Sequence, residues 1–201
     1  MLLADELIKK GVLKNKRLIE AFRAVDRKDF VPENLKELAY ADEPLPIGEE
    51  QTISQPWTVA FMLELLDPKP AENIMEIGYG SGWQTALLAA SGANVYAIER
   101  VERLCELGKK NVKKYFNTVK FFCQDGSLGL QEIAERIGGF DKIIVAASGR
   151  KLPPAWKKQL KTGGKIIAPV GHSIFEFIKK ANEKFEEIEH PGFAFVPLVS
   201  D

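Results

Sequence analysis

The sequence is poor in cysteine and histidine, carries no net charge and has no long apolar run. Its 201 residues include two cysteines and two histidines. Two thiols without clustered histidines make neither a disulfide framework nor a zinc site, and no metal is expected. The expectation is a pair of buried, reduced thiols in a cytoplasmic protein, with Cys105 on a helix and Cys123 on a strand. Lys+Arg and Asp+Glu both number 28, so the formal charge is zero and bulk electrostatics offer nothing to a nucleic acid. No segment approaches the ~20 apolar residues of a membrane span. The opening MLLADELIKKG is interrupted by Asp5, Glu6, Lys9 and Lys10, which breaks any signal-peptide core. Disulfide scaffolds, zinc enzymes and membrane proteins are thereby set aside, nucleic acid is not an expected partner, and a monomer is expected.

What is present fits one globular domain: 45% hydrophobic and 28% charged residues, near the averages for packed chains. Residues 1 to 40 read as amphipathic helices, with Leu2, Leu3, Leu7 and Ile8 and then Leu18, Ile19, Phe22 and Val25 at helical spacing. Asp42 to Gly48 carries two prolines and a glycine and reads as an ordered loop. A helix with Val59, Met62, Leu63 and Leu66 on its apolar positions follows, with Ser54 or a neighbour as N-cap and Pro56 in its first turn. Asp67-Pro68-Lys69-Pro70 ends it. Beyond residue 70 the rhythm alternates. Strands are expected at 73–77, 94–98, 119–123, 142–146 and 165–170, with helices at 83–90, 101–115, 130–137 and 154–160 between them. Three more strands, 175–179, 185–190 and 193–198, follow without intervening helices, so at least one should run antiparallel. The fold class is therefore α/β: a doubly wound, Rossmann-like, mostly parallel seven-stranded sheet with helices on both faces. Residues 1–70 read as an N-terminal helical segment, and 71–201 as the α/β core.

In such sheets ligands bind beyond the carboxyl ends of the strands. The first of these ends reads Glu76-Ile77-Gly78-Tyr79-Gly80-Ser81-Gly82. A dinucleotide fingerprint starting at Gly78 needs Gly or Ala at 83, where this chain has Trp, which disfavours an NAD-dependent oxidoreductase. Two further acids fall at the next strand ends. Glu99 is placed to accept from ribose hydroxyls, and Asp125, beside Gly126, from an adenine amino group.

The acidic-x-G-x-G-x-G pattern resembles motif I of class I S-adenosylmethionine methyltransferases. A narrower resemblance runs through Phe30-Val31-Pro32-Glu33, Ala39 to Asp42, Pro44 to Gly48 and Gln51-Thr52-Ile53-Ser54-Gln55-Pro56. It continues through Tyr96 to Arg100, Asp125 to Gly129, Gln159 to Lys161 with Gly163-Gly164, Ala168 to Gly171 and Phe195 to Leu198. This order, over nearly the whole chain, is similar to that of the protein-L-isoaspartate O-methyltransferases. The resemblance implies methyl transfer from S-adenosyl-L-methionine, leaving S-adenosyl-L-homocysteine, to the α-carboxylate of L-isoaspartyl residues in damaged proteins or peptides. The ester then collapses to a succinimide that can reopen to aspartate, a protein repair. It also implies Ser54 as the catalytic hydroxyl that orients the acceptor. Thr52, Ile53, Glu76, Gly78, Tyr79, Gly80, Gly82, Glu99, Arg100, Asp125 and Gly126 are the implied cofactor-binding residues. Tyr79 and Trp83 stand where the family commonly has Thr and Tyr, so the pocket shape near them should differ. The alternatives left by the residues are a methyltransferase for another carboxylate or small molecule, and a non-catalytic adenosyl-binding paralogue. Trp57 and Trp83 read first as packing aromatics, His172 as a loop residue and Arg150-Lys151 as solvated charges.

Overall fold

The computed structural model describes residues 2–198. Helices α1 (Leu2–Lys9) and α2 (Lys16–Ala24) are followed by two 3₁₀ turns, Arg27–Phe30 and Glu33–Leu38. The Asn15 side chain caps α2 by accepting from Arg17 N–H. Residues 42–48 are more than the expected loop. Strand β1 (Leu45–Gly48) pairs antiparallel with β2 (Gln51–Ile53) in a short hairpin, with Glu49 and Glu50 at its tip. The prolines at 44 and 46 are tolerated because a two-stranded ribbon has only edge strands.

Helix α3 (Pro56–Leu66) begins one residue later than a Ser54 cap would require. Its N-cap is Gln55, whose side chain makes no cap bond; instead the Trp57 N–H donates to Asp42 Oδ1 at 2.8 Å, a remote carboxylate at the helix start. Asp67, in the left-handed conformation, closes α3 before Pro68.

The core then alternates: β3 (Asn73–Ile77), α4 (Trp83–Ala90), β4 (Asn94–Glu99), α5 (Glu102–Val112), β5 (Lys120–Cys123), α6 (Gln131–Ile137), β6 (Phe140–Val145), α7 (Pro154–Gln159), β7 (Leu160–Val170), β8 (Ser173–Lys179) and β9 (Phe185–Pro191). The strands form one seven-stranded sheet in the order β5-β4-β3-β6-β7-β8-β9. β5 to β7 are parallel, whereas β8 and β9 are antiparallel additions, as the helix-free C-terminal stretch implied. The expected strand at 193–198 does not form. Flanked by Pro191 and interrupted by Pro197, this segment runs as an extended strap that makes only an isolated bridge, Ser148 to Pro197.

Both sheet faces are covered. Ile74, Val95, Ala97, Ile144 and Ile167 join the cluster under α1 to α5, whereas Met75, Ile77, Tyr96, Ile98, Ile143, Val145 and Ile166 face the cluster under α6 and α7. The period of two along each strand sends neighbours to opposite sides. That alternation also turns Glu76 toward the α4 side, where it is fully buried.

The expectation of buried, reduced thiols is overturned: Cys123, at the end of β5, is exposed, and neither thiol is free. Cys105 and Cys123 form a disulfide with Cα atoms 5.8 Å apart. Sequence spacing concealed this, because the pairing is made by the β4–β5 register. Cys123 lies opposite Glu99, and the first turn of α5 brings Cys105 Sγ to 3.3 Å from the Glu99 carbonyl oxygen.

Candidate active site

The chain leaves β3, runs outward through β4 and β5, and returns to place β6 on the other side of β3. The reversal opens a crevice at the carboxyl ends of β3 and β6. A cleft of about 1080 Å³, counted to its solvent mouth, fills it. The glycine-loop residues Gly78, Gly80 and Ser81, its floor, line it together with Glu76, Glu99, Arg100, Ile53 and Ser54.

Local sequence explains the floor. Gly82 caps α4 with φ +91°, and a Cβ there would sit 2.6 Å from Val112 Cγ2, so only glycine closes the turn against α5. Helix α5 approaches the loop through Gly108, where a Cβ would lie 2.5 Å from the Gly80 carbonyl oxygen and 2.7 Å from the Tyr79 ring. This gap is where the unusual Tyr79 fits. Its ring meets Phe121 edge-on at 5.3 Å, and its hydroxyl donates to the Cys105 carbonyl at 3.0 Å. Burial holds the phenol above its ordinary pKa, so it stays a neutral donor. Trp83 is likewise directed into the N-terminal helices, edge-on to Phe22 at 5.6 Å.

The carboxylates differ in their surroundings. Glu99 Oε2 accepts from Gly80 N–H at 3.0 Å, while Oε1 accepts from Arg100 and Val101 N–H at 2.8 and 3.0 Å. Both lone pairs of Oε1 are thereby engaged, whereas Oε2 retains one for a ligand hydroxyl. The same contacts tie the end of β4 to the glycine loop. Glu76 Oε1 accepts from Gln84 Nε2 at 3.1 Å, and Oε2 has no hydrogen-bond partner. Burial pushes the Glu76 carboxyl up to about 7, with the nearby Thr85 hydroxyl and Gln84 amide opposing the rise and Glu99 adding to it.

Ser54 lies where this cleft meets a second depression, which also touches Thr52, Ala146 and Val196. Trp57, Thr58, Phe193 and Phe195 line the far side, and the residues lining this depression include no charged side chain. The strap at 191–198 closes it. Ser148 N–H donates to the Val196 carbonyl and Leu198 N–H to the Ser148 carbonyl, both at 2.8 Å, while Phe193 stacks on Phe61 at 5.3 Å.

The structure thus brings Thr52, Ile53, Ser54, Glu76, Gly78, Tyr79, Gly80, Glu99, Arg100 and Gly126 to one cleft. Gly82 sits behind the floor as the α4 cap rather than on the lining. Asp125 is also off the lining, where its neighbours Gln124 and Gly126 take part; its carboxylate accepts from Ser127 N–H at 2.9 Å and Ser127 Oγ at 2.7 Å. Sequence reasoning missed Ala146, Ala147 and the strap residues Val196 to Leu198 as lining. It also missed Arg27, whose neighbours Asp26, Lys28 and Asp29 make it read as one more solvated charge.

Comparison with known proteins agrees with this geometry. Residues 2–201 match the family model described as protein-L-isoaspartate(D-aspartate) O-methyltransferase. A protein-L-isoaspartate O-methyltransferase of Dictyoglomus turgidum is 43% identical over 197 residues, covering 96% of this chain and 88% of that protein. Its counterpart from Methanospirillum hungatei is 40% identical over 191 residues, covering 93% and 87%. Among solved structures, the crystal structure described as this methyltransferase from Plasmodium falciparum in complex with S-adenosyl-L-homocysteine superposes with a TM-score of 0.88. It is 25% identical and covers 99% of this chain and 97% of that one.

Proposed function

The chain belongs to the protein-L-isoaspartate(D-aspartate) O-methyltransferase family, and from that premise we propose how its residues methylate an L-isoaspartyl carboxylate in damaged proteins or peptides. The observation that carries the reading is the junction at Ser54: a glycine-floored cleft with two acids opens there onto an uncharged depression closed by the strap. The first suits an adenosyl cofactor, and the second suits an extended peptide.

S-Adenosyl-L-methionine fits the residues present. Glu76 Oε2, buried and without a partner, would meet the ammonium of its methionine end, and the open lone pair of Glu99 Oε2 would take a ribose hydroxyl. When bound, it supplies a methyl group made electrophilic by the sulfonium. Gly78, Gly80 and the start of α4 allow backbone approach to that ligand. Arg100, Thr52 and Ile53 form its rim, and Gly126 with the Asp125 turn the adenine side.

The acceptor needs no general base, because a carboxyl group with pKa ~4 is already ionised at neutral pH. The absence of charged side chains from the depression's lining is consistent with this. The Ser54 hydroxyl donates to the acceptor carboxylate and orients one oxygen toward the methyl carbon. Holding nucleophile, methyl and sulfur in line can supply up to ~7–11 kcal/mol of barrier lowering. Trp57, Phe193 and the strap exclude water, so opposite charges approach and neutralise in a dry site. The ester is then attacked by the following backbone amide nitrogen, methanol leaves, and hydrolysis of the succinimide yields aspartate or isoaspartate.

The segment up to residue 70 covers both ligands in this reading, and the enzyme acts as a monomer. No described helix is long and apolar enough to cross a membrane. The test is transfer of labelled methyl groups to an isoaspartyl peptide beside its aspartyl twin. Base-labile label on the first alone is expected; equal labelling of both, or of neither, would overturn the proposal.

A further inference from the structure

We propose that Arg27 is a positioning residue for the transfer, a buried fork that holds the Ser54 loop in register with the cofactor side of the cleft; this rests on the acceptor reading above. Arg27 projects from the first 3₁₀ turn and is 1% exposed. Its Nη1 donates to the carbonyls of Ala39 and Ala41 at 2.9 and 3.2 Å, and its Nη2 to those of Glu43 and Ser54, both at 3.0 Å. The four acceptors span the segment that carries Asp42, hairpin β1–β2 and Ser54. The guanidinium carbon also lies 5.2 Å from the centre of the Trp83 ring, the first residue of α4 and the one directly after the glycine loop. One side chain thereby touches both the acceptor loop and Trp83, which opens α4 and also lines the cleft.

The choice of residue matters physically. Four converging carbonyls present partial negative charge that a planar guanidinium meets with a fixed set of donors, whereas an ammonium offers three donors from one point. Burial drives the Arg27 pKa down to about 10, with Asp42 and Glu43 partly restoring it, so the group remains cationic at neutral pH. Asp42 completes the anchoring: it accepts from the Trp57 N–H at 2.8 Å and from Lys10 Nζ at 2.6 Å, while its carbonyl accepts from Gln55 Nε2 at 3.0 Å. The bonds of Arg27 therefore fix where Ser54 sits rather than bind substrate. A shift of about 1 Å in such a group costs on the order of 100-fold in rate.

Arg27→Lys and Arg27→Met in the full chain test this, with Phe177→Leu on the opposite sheet face as a control for lost stability. For Arg27→Lys, kcat should fall about 10-fold and for Arg27→Met about 100-fold, with the cofactor KM within about threefold of wild type. Amide exchange of residues 42–57 should accelerate about 10-fold while α4 changes less than about threefold. Phe177→Leu should lower stability and keep kcat within about twofold. The proposal is overturned by wild-type kcat and exchange in Arg27→Lys, by equal acceleration throughout the chain, by unfolding of both Arg27 variants, or by matching kcat loss in the control. If the wild type leaves the peptide unmethylated yet the exchange of 42–57 responds as stated, the acceptor reading falls and the positioning of the loop stands.

Discussion

Replacing Glu76 by glutamine removes a titration from a fully buried position on the cleft, with a sign that follows from its raised pKa. The carboxyl is fully buried, with one oxygen bonded to Gln84 and the other without a partner, and its pKa is raised from 4.5 to about 7 by burial. In the unfolded chain it ionises near its ordinary value. Between these two values the folded protein holds one more proton than the unfolded chain, so this group's contribution falls as pH rises. It is fully present below the unfolded pKa and lost once pH passes the folded one. At about 1.4 kcal/mol per pH unit, the interval corresponds to about 3 kcal/mol. Glutamine keeps the shape and does not titrate. Measured by urea unfolding without cofactor, Glu76→Gln should gain about 3 kcal/mol relative to wild type between pH 4.5 and pH 8. The gain should carry a functional cost: cofactor affinity of the wild type should rise with pH as the carboxylate forms, and that rise should disappear in the variant. A stability difference that stays flat across this range would refute the reasoning.

Three further outcomes are expected. Ser54→Ala removes a donor to an ionised acceptor, so kcat should drop about 10- to 100-fold while cofactor affinity, measured by calorimetry, is retained; unchanged turnover removes Ser54 from the mechanism. Reduction of Cys105–Cys123, separated by 18 residues, should cost about 3 kcal/mol by the loop-closure argument, seen as a lower urea midpoint with thiol than without. Gly108→Ala puts a methyl group against the Gly80 carbonyl and the Tyr79 ring, so it should destabilise by about 1–3 kcal/mol and weaken cofactor binding, whereas a variant with wild-type affinity and melting temperature would mean that α5 can back away.

Features set by local spacing were legible without coordinates. The glycine loop follows an apolar strand and precedes a helix, so Glu76 to Gly82 announced a tight strand-to-helix turn, and it lies on the cleft. The alternation after residue 70 yielded the parallel core, and the helix-free tail implied antiparallel closure. Boundaries drifted where proline acted over distance: 193–198 reads as a strand, yet Pro197 and the absence of a ladder partner leave it a strap across the cleft. Residues 42–48 read as a loop because two prolines and a glycine dominate their local pattern, whereas their strand character comes from pairing with Gln51–Ile53.

The glycine loop, the order of strands and helices, and the residues at successive strand ends belong to the sequence alone, since each depends on neighbours within a few positions. Tertiary structure decided which distant groups meet. It joined Cys105 to Cys123 through the β4–β5 register and rotated Tyr79 into the gap left by Gly108. It also carried Ser54 from a capping position to the junction of two depressions, and buried Arg27 among four carbonyls that are 12 to 27 residues away in the chain. The physical reason is the same in each case. A side chain's type records what it can bond, while the partner, and hence its desolvation and pKa, is chosen only when the sheet's register and the helices packed on it close the space around it.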